Sequence, residues 1–278
     1  MPTTYAVTGA SGFVGSRIVN ELRKDGTVRE LGRNSDHRFA LGEPVDPTVL
    51  LGLDVLVHCA WDFTPKSWAE VKRVDVDGSL ALFDAARDAG VKRIVFISTM
   101  SSFEGTKSNY GRAKLAIEHE APQHHPGVAI LRPGLVYDQE SGGIVGAMRA
   151  VMAKLPVVPV IGGAQVFYTC HAEDLAKAVH ELTSAPLPDH PVIAAEPVPR
   201  PFKQILTTMA AADGRKPAFL PVPHQLAYFG LKTLETLHAP IKLRSDSIIG
   251  LINNDPNPNF GGLKTTFREF NRKAIRGG

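Results

Sequence analysis

Short apolar runs alternate with amphipathic stretches through the first half of the chain. The apolar runs predict buried strands at residues 4–8, 27–31, 54–59, 93–98 and 128–131. Between them, apolar side chains at helical spacing predict helices at 12–24, 78–88 and 110–120, the last of them ended by Pro122. Strands that are apolar on both faces and alternate with helices are typical of a parallel sheet covered on each side. The pattern therefore predicts an α/β fold with a doubly wound parallel sheet.

Beyond about residue 134 the alternation breaks, and prolines and glycines punctuate the chain. A helix at 171–182 is expected to return to the first unit, and shorter helices are predicted at 202–212 and 224–237. We predict that residues 1–185 form the sheet domain, with 134–170 contributing in part to a second lobe. Residues 186–278 are expected to form that smaller, irregular lobe, which would bind the substrate.

Composition and charge narrow the class of protein. Lys plus Arg total 31 against 28 for Asp plus Glu, and no basic run resembles a nucleic-acid patch. The N-terminus lacks the pattern of a signal peptide, and no apolar stretch approaches the roughly 20 residues that cross a bilayer. The two cysteines, Cys59 and Cys170, form no disulfide framework or zinc spacing. We expect a soluble, cytoplasmic protein without a metal site and without nucleic-acid or membrane partners.

A glycine-rich segment, TGASGFVG at 8–15, follows the first strand and opens the first helix. Gly9 permits a tight turn, Gly12 lets the backbone approach a pyrophosphate, and Gly15 lets the helix pack close to the sheet. The free N–H groups of the helix N-terminus favour phosphate. The segment, including Ser11, Phe13 and Val14, is therefore predicted to bind a dinucleotide in a Rossmann fold.

The residue after the second strand bears on which dinucleotide binds. Arg33 stands at the place where an acidic residue would hold the ribose of NAD, and a guanidinium suits a 2′-phosphate. Glu30 is the alternative: if the strand ended three residues earlier, its carboxylate could hold the ribose. The sequence favours NADP, with NAD left open.

Tyr110 and Lys114 lie four residues apart, on the same face of one predicted helix. A phenol with a pKa near about 10 is a poor base at neutral pH, and a nearby ammonium stabilises its phenolate. Ligands bind at the carboxyl ends of parallel strands, and this pair comes after the carboxyl end of the 93–98 strand. We predict that Tyr110 is the catalytic acid/base and that Lys114 tunes it and holds the cofactor's ribose.

With these residues in view, the chain resembles an extended short-chain dehydrogenase/reductase, specifically the NAD-dependent epimerase/dehydratase family. Four motifs carry the resemblance in the family's order: TGASGFVG at 8–15, DVLVHCA at 54–60, YGRAK at 110–114 and LRPGLVY at 131–137. The resemblance implies a Rossmann cofactor domain, a small C-terminal substrate lobe, and a homodimer formed through the helices beginning near Gly78 and Tyr110.

The resemblance also implies roles for single residues. Cys59, Ala60 and Trp61 would lie beside the cofactor, and Pro133 at its nicotinamide end. Asp174 resembles an aspartate that begins a late helix in the family, which we interpret as a structural cap.

Two departures indicate a divergent member. The position of the family's catalytic Ser or Thr is occupied by Met100, so Thr99 or Ser101 would have to supply the hydroxyl, with Ser101 favoured. The family's asparagine before the 78–88 helix is replaced by Asp75.

The leading hypothesis is hydride transfer between NAD(P) and a hydroxyl- or carbonyl-bearing carbon of a small molecule, a sugar nucleotide being the family's commonest substrate. Lys242, Arg244 and Asp246 are candidates to face it, or form only a surface charge cluster. The alternatives are an NADPH-dependent carbonyl reductase acting on a non-sugar substrate, and a cofactor-binding regulatory protein without turnover.

Overall fold

The computed structural model describes residues 2–140, 142–236 and 245–277. A seven-stranded sheet lies at its centre in the order β11-β6-β5-β4-β1-β2-β3, and each neighbouring pair is parallel. Its strands are β1 (Thr3–Thr8), β2 (Gly26–Gly32), β3 (His37–Arg38), β4 (Val55–His58), β5 (Arg93–Ile97), β6 (Val128–Pro133) and β11 (Val192–Ala194). The predicted doubly wound parallel sheet is confirmed.

Helices cover both faces of this sheet, and further helices build the second half of the chain. They are α1 (Phe13–Leu22), α2 (Trp68–Val71), α3 (Asp77–Asp88), α4 (Asn109–His124), α5 (Gly143–Lys154), α6 (Ala172–Ser184), α7 (Phe202–Ala212), α8 (His224–Thr236), α9 (Ser245–Ile252) and α10 (Arg272–Arg276). A π-helical turn, Lys72–Val76, joins α2 to α3. Helices α1 and α6 pack together on one face, as the expected return of the 171–182 helix requires, while α3 and α4 cover the other.

The sheet has a hydrophobic core on each face, and successive residues of a central strand lie in different cores. Val7 and Val57 lie in the core under α1 and α6, whereas Ala6 and Leu56 lie in the core under α3 and α4. All four are buried at 4% exposure or less. A strand with both faces buried in this way has apolar residues throughout, which is why its sequence lacks the polar alternation of a half-exposed strand.

Helix α4 runs past the point where the sequence was expected to end it. Pro122 lies inside the helix, which continues to His124. Proline removes one backbone donor but does not end a helix whose last turn is held by other contacts. Here the His124 ring bonds the Asp84 carboxylate at 2.8 Å, and Arg87 donates to the His124 carbonyl at 3.0 Å.

The second half of the chain builds small sheets outside the main one. Strand β7 (Leu135–Tyr137) pairs with β10 (Thr169–His171), β9 (Val166–Phe167) with β12 (Arg200–Pro201), and β8 (Val157–Ile161) with β13 (Ala218–Val222). Helix α7 matches the predicted 202–212 helix, and Leu237, the expected end of the 224–237 helix, lies outside the described residues. Strand β11 joins the main sheet from beyond residue 185, and the division of the chain at that residue stays a prediction.

The described ranges contain neither a helix suited to span a membrane nor a cluster of side chains suited to hold a metal ion. None of the helices there combines the length and the apolar character that spanning a membrane requires. Over the same ranges, no three or more His, Cys, Asp or Glu side chains are grouped so that they could hold a metal ion.

Candidate active site

The glycine-rich turn has the close backbone packing that its sequence predicts. Gly9 has a φ of +66°, and a Cβ there would lie 3.0 Å from the backbone of Ala60. A Cβ on Gly15 would lie 2.2 Å from the Gly9 carbonyl oxygen, so only glycine allows α1 to start this close to β1. Gly12 caps α1 without a side-chain hydrogen bond, which leaves the helix N-terminus available to an anion. This cradle fits a pyrophosphate.

The remaining residues of the turn differ in exposure. Ser11 is exposed, as Gly12 is, whereas Phe13 is partly buried and Val14 packs against the core under α1. The Phe13 ring contacts the Arg17 guanidinium, 4.7 Å from the ring centroid, and lies where a Cβ on Gly142 would be. The turn is therefore open on its Ser11–Gly12 side and closed on its Phe13 side.

Thr8, the last residue of β1, holds the loop that follows β4. Its Oγ1 accepts hydrogen bonds from the backbone N–H groups of Cys59 and Ala60, each at 3.1 Å. Its own proton is then directed to Nδ1 of His58, 2.7 Å away. The Thr8 side chain is fully buried, so these bonds have no competing solvent.

The same hydrogen-bond chain continues through His58 to the π-helical turn. With Nδ1 accepting from Thr8, the His58 proton is assigned to Nε2, which donates to Ser79 Oγ at 3.0 Å. Ser79 in turn donates to the Asp75 carbonyl at 2.5 Å. Burial, reinforced by the charge of Lys114, lowers the pKa of His58 to about 3, so the ring is neutral. Sequence analysis did not anticipate this chain, although polar residues ending two buried strands were a visible signal.

Replacing Thr8 by Val tests this network. Val keeps the shape of Thr but leaves two backbone donors and His58 Nδ1 without their partner. We expect the free energy of unfolding to fall by about 2–3 kcal/mol in urea titrations. Thr27→Val, an exposed change on β2, is the matched control and should alter stability by less than about 0.5 kcal/mol. Equal stabilities for the two variants would contradict the network.

Trp61, in the loop held by Thr8, brings the two proposed catalytic side chains together. Its ring lies edge-on to that of Tyr110, with the centroids 5.1 Å apart, and Lys114 Nζ lies 4.3 Å from a Trp61 ring centroid. Cys59 and Ala60 precede it, both partly buried. Burial raises the pKa of the Cys59 thiol to about 12, so it is not a thiolate at neutral pH.

Tyr110 is a phenol at neutral pH in this environment. Burial raises its pKa to about 12, a hydrogen bond with the Thr99 side chain opposes that rise, and the Asp75 charge adds to it. Phe63 stacks on the ring with the centroids 6.2 Å apart. Thr99 is thus the candidate hydroxyl that acts on Tyr110 here, and a catalytic role for Thr99 or for the favoured Ser101 stays a prediction.

The residues that follow Thr99 have different surroundings. Met100 packs against the core under α1 and α6, and its N–H donates to the Pro133 carbonyl at 3.1 Å. The Ser101 carbonyl lies against the first turn of α4, where a Cβ on Gly111 would be 2.4 Å away. Pro133 itself is buried at the carboxyl end of β6.

Lys114 is almost fully buried, at 2% exposure. Its ammonium donates to the Ile97 carbonyl at 2.7 Å and lies over the rings of Trp61 and Phe96. Burial lowers the pKa of Lys114 to about 7, against the opposite effects of Cys59, Asp75 and Glu118. A lysine in this state can exchange its proton near neutral pH.

The end of β2 separates the two candidates for the cofactor's ribose. The strand continues to Gly32, past Glu30, whose carboxylate accepts from Arg23 at 2.5 Å. Arg33 directly follows the strand, is 70% exposed and lies 3.9 Å from Asp62. Arg33, and not Glu30, therefore occupies the position directly after β2.

Four other candidates have different outcomes. Asp246 accepts from the backbone N–H groups of Asn109 and Tyr110 at 2.8 and 3.4 Å, so it fastens α9 to the start of α4. Lys242 and Arg244 lie outside the described residues. Asp174 has a structural role, but the cap of α6 is His171.

Asp174 instead anchors the C-terminal segment. Its buried carboxylate accepts from the Arg268 guanidinium at 2.7 and 2.9 Å and from the Arg268 backbone N–H at 3.0 Å.

Comparison with known proteins identifies the family of the chain. The model of the NAD dependent epimerase/dehydratase family matches residues 5–193, about two thirds of the chain. The chain belongs to that family. It is 29% identical over 185 residues to a ceramide reductase of Caulobacter vibrioides, covering 62% of this chain and 58% of the relative. It is 27% identical over 194 residues to a UDP-glucose 4-epimerase of Vibrio cholerae, covering 56% and 59%. The chain thus spans less than two thirds of the length of either relative.

Solved structures share the fold. The crystal structure of gox2253 has a TM-score of 0.74 at 19% identity and covers 99% of this family member and 96% of its own chain. MoeE5 in complex with UDP-glucuronic acid and NAD has a TM-score of 0.66 at 23% identity, covering 79% and 85%. At these identities the likeness concerns the fold alone.

Proposed function

We propose that this family member transfers a hydride between a nicotinamide dinucleotide and a carbon bearing a hydroxyl or carbonyl group. The observation that carries the proposal is the contact of Trp61 with both Tyr110 and Lys114, beside a glycine turn that fits a pyrophosphate. Perturbed acid–base groups gathered at the carboxyl ends of parallel strands are typical of an active site in this fold.

The chain's own residues handle the proton. In reduction, Tyr110 Oη donates its proton to the substrate's carbonyl oxygen, and Thr99 holds the phenol through its hydroxyl. Lys114 returns a proton to the site, because its ammonium loses one near neutral pH. In oxidation Tyr110 Oη first gives its proton to the neutral Lys114 amine, and the resulting phenolate then takes the proton of the substrate hydroxyl. The nicotinamide, when bound, supplies the hydride to the carbonyl carbon or accepts it from that carbon.

For the substrate, the relatives support two classes. The epimerase relatives favour a sugar nucleotide, and the ceramide reductase relative favours reduction of a carbonyl on a non-sugar molecule. Assays with a panel that contains both substrate classes distinguish the two. The absorbance of the reduced cofactor reports its consumption in each assay. Interconversion of sugar nucleotides without net change of cofactor indicates an epimerase, and stoichiometric cofactor oxidation with simple ketones or aldehydes indicates a reductase.

The exposed guanidinium of Arg33 supports NADP as the preferred cofactor. We expect Arg33→Gln to raise the Kd for NADPH by about tenfold or more, since a charged contact to phosphate is lost, and to leave that for NADH nearly unchanged. Fluorescence titration measures both constants. Arg23→Gln, on the Glu30 side of β2, is the matched control. If the wild-type protein bound NADH more tightly than NADPH, the assignment of Arg33 would be wrong.

A regulatory protein that binds the cofactor without turnover is the competing proposal. It predicts no rate with any member of the substrate panel while cofactor binding remains intact. A homodimer formed through α3 and α4, and a cytoplasmic location, stay predictions.

A further inference from the structure

Asp75 is a buried carboxylic acid that the mechanism above does not use. It lies in the π-helical turn between α2 and α3 with no exposed surface. Its Oδ1 accepts from the backbone N–H of Asp62 at 2.8 Å, and its Oδ2 is buried without a hydrogen-bond partner. A buried carboxyl oxygen without a partner is costly, and such groups concentrate where function requires them. Irregular π-turns inside helices are likewise frequent at functional sites.

The position of Asp75 ties it to the proposed catalytic pair. Asp62, whose N–H it accepts, directly follows Trp61, the residue that contacts both Tyr110 and Lys114. The carbonyl of Asp75 ends the Thr8–His58–Ser79 chain that holds the other end of the same loop. One residue thus supports the loop from its side chain and its backbone.

The ionisable groups around Asp75 come from three elements. Asp62 acts from the loop after β4, and Lys114 and Tyr110 act from α4. On its own turn, Lys72 pairs with Asp77 at the surface, 2.6 Å apart. Two further ionisable groups, Cys59 and Glu118, act on Lys114, and Arg33 acts on Asp62. The neutral His58 ring reaches Asp75 through Ser79.

We propose that Asp75 is a positioning residue whose carboxylate keeps Tyr110 protonated and so extends carbonyl reduction to higher pH. The proposal rests on the proposed function, because it concerns the proton that Tyr110 donates. A negative charge in a buried site opposes the formation of a second one nearby, so an ionised Asp75 disfavours the phenolate. Burial raises the pKa of Asp75 itself to about 6, which leaves it mostly ionised at neutral pH.

Tyr110 can be titrated without any substrate. Trp61 and Trp68 are the two tryptophans of the chain, and Trp68→Phe leaves Trp61, which touches Tyr110, as the fluorescent reporter. Tyrosinate quenches a neighbouring indole, so fluorescence should fall as Tyr110 ionises. In this background, Tyr110→Phe should abolish the alkaline quench. Far-UV circular dichroism at each pH restricts the titration to folded protein.

The decisive change is Asp75→Asn, which removes the charge but keeps an oxygen able to accept from Asp62. We expect the quench to begin at a pH lower by about half a unit or more. The alkaline fall of reductive kcat/KM should move in the same direction. Asp62→Asn removes a neighbouring charge that is partly exposed and therefore screened by solvent, and should leave the onset in place. Asp75→Ser, also uncharged, should shift it as Asn does.

An unchanged onset in Asp75→Asn overturns the proposal, as does a shift of equal size in Asp62→Asn. The titration also separates this proposal from the proposed function. Absence of turnover with the whole substrate panel would remove the hydride-transfer activity, while the fluorescence onset would still decide whether Asp75 controls Tyr110.

Discussion

Replacing Tyr110 by Phe should lower kcat/KM by about 10²- to 10⁴-fold while leaving cofactor affinity nearly unchanged. Phe keeps the ring that packs against Trp61 and Phe63, so the pocket wall stays in place. It removes only the hydroxyl, which holds the proton and bonds with Thr99. Steady-state kinetics and fluorescence titration of the reduced cofactor measure the two quantities on the same preparation.

The matched control is Tyr168→Phe. Tyr168 is a partly buried tyrosine that packs on Phe260, with the ring centroids 4.9 Å apart, away from Trp61. It should retain nearly the full rate. A Tyr110→Phe variant with wild-type kcat/KM would exclude Tyr110 as the acid/base, and an equal loss in both variants would point to general damage.

Gly15→Ala should abolish measurable binding of the cofactor and destabilise the fold. A methyl group there would lie 2.2 Å from the Gly9 carbonyl oxygen, and this neighbour is backbone that cannot rotate away. Helix α1 must then move off the sheet, which displaces the turn that meets the pyrophosphate. We expect at least a tenfold rise in Kd and a loss of about 1–3 kcal/mol in the free energy of unfolding. Cofactor fluorescence and urea titration provide the readouts.

Asn20→Ala serves as its control, because Asn20 lies on the exposed side of the same helix. Alanine is the better helix former, so stability should stay the same or rise slightly. Wild-type cofactor binding in Gly15→Ala would show that close packing of α1 on β1 is not needed for the site.

Five of the seven strands of the central sheet could be predicted because the sequence signals there are local, whereas the short strands β3 and β11 were not predicted. Short runs such as 54–59 are apolar on both faces, and the glycine spacing at 8–15 has one physical meaning once a strand precedes it and a helix follows. That Tyr110 and Lys114 share one face of a helix follows from their spacing, and the position of the pair follows from the strand before it. Such features depend on neighbours within a few residues, and the structure places them where the sequence predicted.

Features that join distant parts of the chain were not predictable in the same way. The hydrogen-bond chain from Thr8 to Asp75 depends on which strands are neighbours, and no single segment encodes it. Helix α4 passes Pro122 because contacts from α3 hold its last turn. The packing of Met100 against the core next to Thr99 also depends on residues far along the chain. The pairing of β8 with β13 involves short, proline-containing segments whose hydrophobic residues show no clear periodicity.

Dinucleotide binding at the glycine turn is tested most directly by titrating the wild-type protein and Gly15→Ala with NADPH and NADH. Cofactor fluorescence measures the binding. We expect saturable binding to the wild-type protein, retained in Tyr110→Phe and lost in Gly15→Ala. If neither reduced nucleotide bound to the folded wild-type protein, the glycine turn would not be a dinucleotide site and the proposed activity would fall with it.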